Sequence, residues 1–489
     1  MAASPAAALE RVQLRLPLLE TNFTLDLADL ASPEGSLAGN SDLAQFDQAL
    51  DGSIGRKLRT VFQTPLPLQA RTALDQAVGT PLLEQALLVA SALVKVEGLP
   101  PDPDGSDLVQ AIETASASGK LTLLTLLQAL PGDVASIDLE RAAQGFLRLA
   151  RQQRVADDLL QRVPAAAAPS LSATATAALA PVQRRSLSLA VAHRGQPLEL
   201  VVLSPHQGGN GRLVLISHGL WDSPPSFEGW GRRLAASGYT VVLPAHPGSD
   251  ADQQRAMLTG SVPPPGPAEL RLRPLDMSAV IDAIAADRLA GLEAVAADRV
   301  VVIGHSWGAT TSLQLAGLQT SSSQMRQRCS SSDDPDRNVS WTLQCSWLGG
   351  ADQASMMDPR VIAVAAVSPP ATLLFQQGSG QELKSRLLLV SGSRDFIVPA
   401  DPEAIEPFSR GVVAGHRLVL AAGGDHFNLR PGADPGGGVL GSLLLAWTEG
   451  AFAAGDGVRP GAAAPNLLPL TGWGHAQIPL ADVTAELQR

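Results

Sequence analysis

Four apolar residues, Val300-Val301-Val302-Ile303, run directly into Gly304-His305-Ser306-Trp307-Gly308-Ala309, and no other stretch restricts the fold as strongly. A run this apolar reads as a fully buried strand, and Ala309 to Gln319 has a helical pattern, so the serine stands at a strand-to-helix turn. At such a turn the serine takes a sparsely allowed backbone conformation, and small residues two before and two after let strand and helix pass closely. Gly304 and Gly308 occupy those positions. The bare Gly-x-Ser-x-Gly pattern also fits a glycine-rich loop. The strand before it and the helix after it favour a nucleophile elbow.

A serine hydroxyl is a weak nucleophile at neutral pH and needs a base, normally a histidine oriented by a carboxylate. With a nucleophile on an elbow of this kind, the acid follows it in the chain and the histidine comes last, each in a loop after a strand. Asp395 ends the apolar run Leu387-Leu-Leu-Val-Ser-Gly-Ser-Arg-Asp, and His426 follows the last apolar strand in Ala421-Ala-Gly-Gly-Asp-His. Asp425 is a weak rival for the acid because adjacent side chains rarely face each other. His475 lies in the tail with no strand before it. Solvated surface roles are the bland alternatives for Asp395 and His426.

Acyl transfer also needs donors aimed at the developing oxyanion. The Trp307 backbone N–H follows the nucleophile at a helix N-terminus, and the loop Ser217-His218-Gly219-Leu220-Trp221 after an apolar strand offers Leu220 N–H, with Trp221 as the next choice. Trp221, His246 and His305 are the candidates for lining a substrate pocket, although tryptophans near a core more often serve packing.

The chain has 489 residues, more than one hydrophobic core usually supports, so two domains are expected. Residues 11 to 30 alternate partly and suit a hairpin. Ser41, Thr80 and Ser106 each precede an apolar helical pattern, a leucine-rich helix stops at Pro131-Gly132, and another runs from about Ile137 to Arg154. Residues 1–165 are thus read as a small, mainly α-helical domain, and the low-complexity stretch within 166–185 as a linker. From 186 to 455 apolar strands alternate with helices, the pattern of an α/β doubly wound, mostly parallel sheet covered on both faces. An insertion over about 320–360 follows the elbow helix, and the Pro-rich tail 456–489 is assigned no structure.

The net charge of −11, with no Lys/Arg run longer than a pair, excludes the basic footprint that nucleic-acid binding needs. No stretch approaches the roughly 18 apolar residues of a membrane span, and the start lacks the regions of a signal peptide. Cys329 and Cys345 have no second pair for a zinc site, so no metal or other cofactor is expected. A disulfide and two free thiols both fit them.

With ISHGLWDSPPSF, VVLPAHPGSD, VVVIGHSWGA, SGSRDFIVP and GGDHFNL in view, the second half resembles an α/β-hydrolase-fold serine esterase of the dienelactone hydrolase-like and platelet-activating-factor acetylhydrolase-like branches. The first half resembles the helical domain of unknown function that precedes the hydrolase in a bacterial group of such proteins. Many of that group are exported, so the resemblance implies an extracytoplasmic setting, with a cytoplasmic one still open, and a Cys329–Cys345 disulfide. Dienelactone hydrolases proper use a cysteine nucleophile, whereas Ser306 stands here, which makes carboxylic esters, lipid-like or aromatic, the expected substrate class. A non-catalytic binding protein on the same fold, or an amidase, thioesterase or acyltransferase using the same triad, are the alternatives.

Overall fold

The computed structural model describes residues 9–16, 21–31, 37, 42–64, 77–96, 110–112, 114–115, 122–130, 132 and 134–169, and then 180–488 except 332, 412–414, 433 and 455–465. The chain divides into two compact units, one formed by 1–148 with 254–266 and the other by 149–253 with 267–489. This division falls earlier than the expected linker at 166–185, because the helix Leu139–Arg162 ends by burying Ala156 and Leu159 in the core of the second unit. Residues 170–179 of that expected linker lie outside the described residues.

The smaller unit carries the expected hairpin, β1 (Arg11–Leu16) and β2 (Thr21–Asp26), and helices over Asp42–Ala49, Ser53–Gln63, Pro81–Leu93 and Leu123–Ala129. Two strands that the sequence did not announce complete a sheet: β3 (Val94–Val96), only three residues long at the end of a helix, and β4 (Val134–Asp138). Strand order is β2-β1-β4-β3, with β1 and β4 parallel. Leu9, Val12, Leu25, Leu30, Phe62 and Leu124 form its core. Phe146 and Leu147 of the helix Leu139–Arg162 are exposed. The helix start expected at Ser106 and the cap at Ser41 lie outside the described residues.

The larger unit is built on a nine-stranded sheet. Its strands are β5 (Val182–Leu189), β6 (Leu198–Pro205), β7 (Arg212–Ser217), β8 (Thr240–Pro244), β9 (Ala296–His305), β10 (Val361–Val367), β11 (Arg386–Gly392), β12 (Arg417–Ala421) and β13 (Leu480–Asp482), in the order β13-β12-β11-β10-β9-β7-β8-β6-β5. The pairs β8–β7, β7–β9, β9–β10, β10–β11 and β11–β12 are parallel, and the antiparallel pairs sit towards the edges. Alternation along β9 explains why its apolar run is continuous. Val300 and Val302 pack with Met277, Val280 and Ile281 of the helix Glu269–Ala285 on one face, while Val301 and Ile303 pack with Phe227, Trp230 and Trp447 on the other.

Residues 466–488 of the tail, for which no structure was expected, pack on the sheet. β13 adds to the open edge of β12, and Leu467, Leu468 and Trp473 are buried against the sheet. A three-residue strand carries no periodicity to read, and what holds it is the unpaired backbone of its neighbour. The insertion forms its own small core: the helices Ser323–Arg328 and Ser340–Ser346 bring Met325, Trp341 and Trp347 against Trp307. A Cys329–Cys345 disulfide closes it, with the Cα atoms 5.6 Å apart and a sequence separation of 16. A loop of that length stabilises the folded state by roughly 3 kcal/mol in the chain-entropy account. Among the described residues no helix is long and apolar enough to cross a membrane.

Candidate active site

β9 lies in the middle of the sheet, and its last residues pair with Ser217 at the end of β7 and Val367 at the end of β10. Ser306 therefore emerges at the carboxyl edge of the central strands, where open parallel sheets place their ligand crevice. Its backbone sits at φ 55°, ψ −124°, the left-handed side that a non-glycine residue adopts only when its surroundings impose it. They do so here: Ser306 N–H donates to Val367 O at 2.9 Å, while Ser306 O accepts from Ala309 and Thr310 N–H at 2.9 and 3.1 Å. A Cβ at Gly304 would stand 2.0 Å from the Gly308 carbonyl oxygen, and one at Gly308 would stand 2.0 Å from that of Ser217. Neither position accepts any larger residue without moving backbone.

The turn after β11 and the loop after β12 are joined by hydrogen bonds. Arg394 N–H donates to Gly424 O at 2.8 Å, Ser393 N–H to Ala421 O at 3.0 Å, and Gly423 N–H to Ser393 Oγ at 2.9 Å. The glycines of the second loop thus do more than give freedom, since their backbone docks on the acid turn. The result is a buried pair in which His426 Nδ1–H donates to Asp395 Oδ2 at 2.9 Å. Asp395 Oδ1 accepts from Ile397 and Val398 N–H at 3.0 and 2.8 Å, so both carboxylate oxygens are occupied and the orientation is fixed. His426 is tied to the elbow by its own carbonyl, which accepts from His305 Nε2–H at 3.0 Å, and the two imidazole rings lie 4.7 Å apart. The Asp425 carboxylate instead caps Phe427 and Asn428 N–H.

Across the serine runs the loop after β7. A Cβ on Gly219 would lie 3.3 Å from Ser306 Cβ. His218 is fully buried in the fold. Its Nε2 accepts from His246 N–H at 3.1 Å, which leaves Nδ1–H to donate to Gly219 O at 2.7 Å. Holding that carbonyl turns the same peptide's N–H, that of Leu220, to the opposite side. Trp221 N–H is used internally, donating to Ser249 O at 2.8 Å, and its indole Nε1–H donates to Gln253. Trp307 opens its helix, so its N–H has no intrahelical acceptor.

His246 and His305, read from the sequence as possible pocket walls, are buried behind the surface, while Trp221 is partly exposed. His246 belongs to a polar group beneath the loop: Nδ1 to Asp276 Oδ2 at 2.9 Å and Nε2 to Ser217 Oγ at 2.9 Å, with Asp276 also held by His193 and Arg194. Sequence reasoning passed over Arg273 and Asp276. The available signal was two charges one turn apart inside an otherwise buried helix. Phe396 and Phe427, each next to a member of the acid–histidine pair, are about half exposed with ring centroids 6.5 Å apart.

Burial holds His218 and His305 well below the ordinary histidine range and lowers His246 and His416 to about 4. These groups are neutral when folded at neutral pH, whereas in the unfolded chain they titrate near 6.5. The unfolded state therefore binds more protons as pH drops from about 6.5 towards 4, and stability present above that window is lost within it. Calorimetric melting is expected to show Tm falling steadily between pH 7 and 4.5. A constant Tm over that range would contradict the assignment of neutral buried histidines.

Comparison with known families agrees with this architecture. Residues 212–331 match the model for the alpha/beta hydrolase fold, and residues 7–138 match a model described as an alpha/beta hydrolase of unknown function. No curated protein matches the chain.

Proposed function

We propose that this alpha/beta hydrolase-fold chain is a serine hydrolase acting on carboxylic esters. The observation that carries the reading is the strained Ser306 on its elbow, together with a His426 whose Nδ1–H is held by a buried Asp395 and whose carbonyl is bonded by His305, the residue before Ser306. In the proposed sequence Ser306 Oγ attacks the ester carbonyl as His426 Nε2 takes the hydroxyl proton. The carbonyl oxygen becomes an oxyanion facing Leu220 and Trp307 N–H. Collapse breaks the C–O bond, with the proton passing from His426 to the leaving alcohol. Water, deprotonated by His426, then attacks the acyl-enzyme, the acyl C–Oγ bond breaks, and the proton passes from His426 back to Ser306 Oγ as the acid is freed.

The half-exposed Phe396 and Phe427 beside the triad favour esters with an apolar or aromatic group, and the dienelactone hydrolase-like or platelet-activating-factor acetylhydrolase-like branch is the proposed subtype. A bonded Cys329–Cys345 pair favours an oxidising, extracytoplasmic compartment. The test is labelling: a fluorophosphonate probe is expected to modify the chain at Ser306 while p-nitrophenyl acetate and butyrate are hydrolysed. Ester hydrolysis that persists after every Ser306 is phosphonylated would refute the reading.

A further inference from the structure

The helix Glu269–Ala285 places one guanidinium under the loop at the nucleophile. Arg273 has no solvent exposure. One terminal nitrogen donates to the His218 carbonyl oxygen and, at 3.4 Å, to Ser217 Oγ, and the other donates to Ser249 Oγ at 3.3 Å. Its plane lies over the Trp307 ring, 5.0 Å from guanidinium carbon to ring centroid. Among the described residues these are its hydrogen-bond partners, and none is a carboxylate. Of the acids nearby, Glu269 and Asp276 pair with Arg194 at 2.7 Å each, and Asp250 accepts from Gln253 N–H at 2.8 Å. Arg273 Nε has no acceptor.

A buried charge without a direct counter-ion is costly, and hydrophobic packing alone would be served better by leucine or methionine. What the position gains is a link to both candidate oxyanion donors at once. The carbonyl that Arg273 holds belongs to the peptide preceding Gly219, whose own carbonyl is pinned by His218, so two successive peptide planes leading to Leu220 N–H are fixed. The indole that it covers belongs to the residue supplying the second donor.

We propose that Arg273 is a positioning residue for the oxyanion site, holding the His218–Leu220 loop and the Trp307 end of the elbow helix in one geometry, while its positive charge, in direct contact with no carboxylate, favours the oxyanion over the neutral ester. The inference rests on Ser306 being the nucleophile. Burial lowers the guanidinium to about 9, so it remains cationic at neutral pH.

The test compares wild type, Arg273→Gln and Arg273→Lys by circular dichroism, by kcat and KM on p-nitrophenyl butyrate, and by affinity for a trifluoromethyl ketone, whose adduct with serine is a tetrahedral oxyanion. Removing a direct oxyanion donor lowers kcat about 100- to 1000-fold, and disturbing its support is expected to lower kcat by about 10- to 100-fold. KM should stay within about threefold, and the ketone should lose affinity in parallel with kcat. Arg273→Lys keeps the charge but has no planar fork for several oxygens, so it should lie between the two. If Arg273→Gln does not fold, Arg273→Lys is read alone by the same measurements. A folded variant with wild-type kcat and ketone affinity overturns the proposal, as does one whose KM rises while kcat holds. Equal hydrolysis by wild type and Ser306→Ala instead overturns the nucleophile assignment and this inference with it, so the two failures are distinguishable.

Discussion

Ser306→Ala is expected to lower kcat for p-nitrophenyl butyrate by about 10⁴-fold or more while leaving the melting temperature within a few degrees of wild type. The activity loss is large because the other members of the site have no independent nucleophile to activate. His426 would be left as a base with only water in front of it. The small effect on stability follows from the geometry. The bonds that fix residue 306 are made by its backbone, with Val367, Ala309 and Thr310, and none of these needs the hydroxyl. The φ of 55° is unfavourable for serine and alanine alike. Steady-state kinetics and thermal melting of the variant are the check. A residual rate within tenfold of wild type would show that another group performs the attack.

Gly308→Ala is expected to do the opposite, destabilising the larger unit by roughly 3 kcal/mol or more and removing activity with it. The added methyl would stand 2.0 Å from Ser217 O and 2.6 Å from His218 O. Both contacts are backbone, so no side chain can rotate away. Relief requires the elbow helix or the loop after β7 to move, and those two elements carry Trp307 and Leu220. Urea unfolding and ester hydrolysis measured together separate the outcomes. A variant with wild-type stability would mean that the β7 loop yields easily, and the tight elbow would then have no structural necessity at this position.

Much of the larger unit was legible because its strands are buried on both faces. Such strands leave uninterrupted runs of Val, Ile and Leu, and each of β7 to β12 could be found from that signal. The chain order Ser306, Asp395, His426 was legible for a related reason, since each residue directly follows one of those runs. The short strands β3, β4 and β13 gave no such signal. β13 is only three residues long and owes its place to the free edge of β12. His246 and His305, expected as pocket walls, are instead buried. The sequence marks the end of a strand without revealing whether a side chain there points to solvent or inward, and both rings point inward.

By itself the sequence determined the elbow, the residue types of the candidate triad and the α/β layering, because these depend on local periodicity, on small residues at fixed offsets and on chain order. Tertiary structure alone decided that the Cys329–Cys345 pair is bonded and that Trp307 packs in the core of the insertion. It also decided that Arg273, more than 30 residues before Ser306 in the chain, lies beneath the loop beside it. Those contacts join segments far apart in sequence, and their geometry is set by how helices settle on the sheet, which no local pattern encodes.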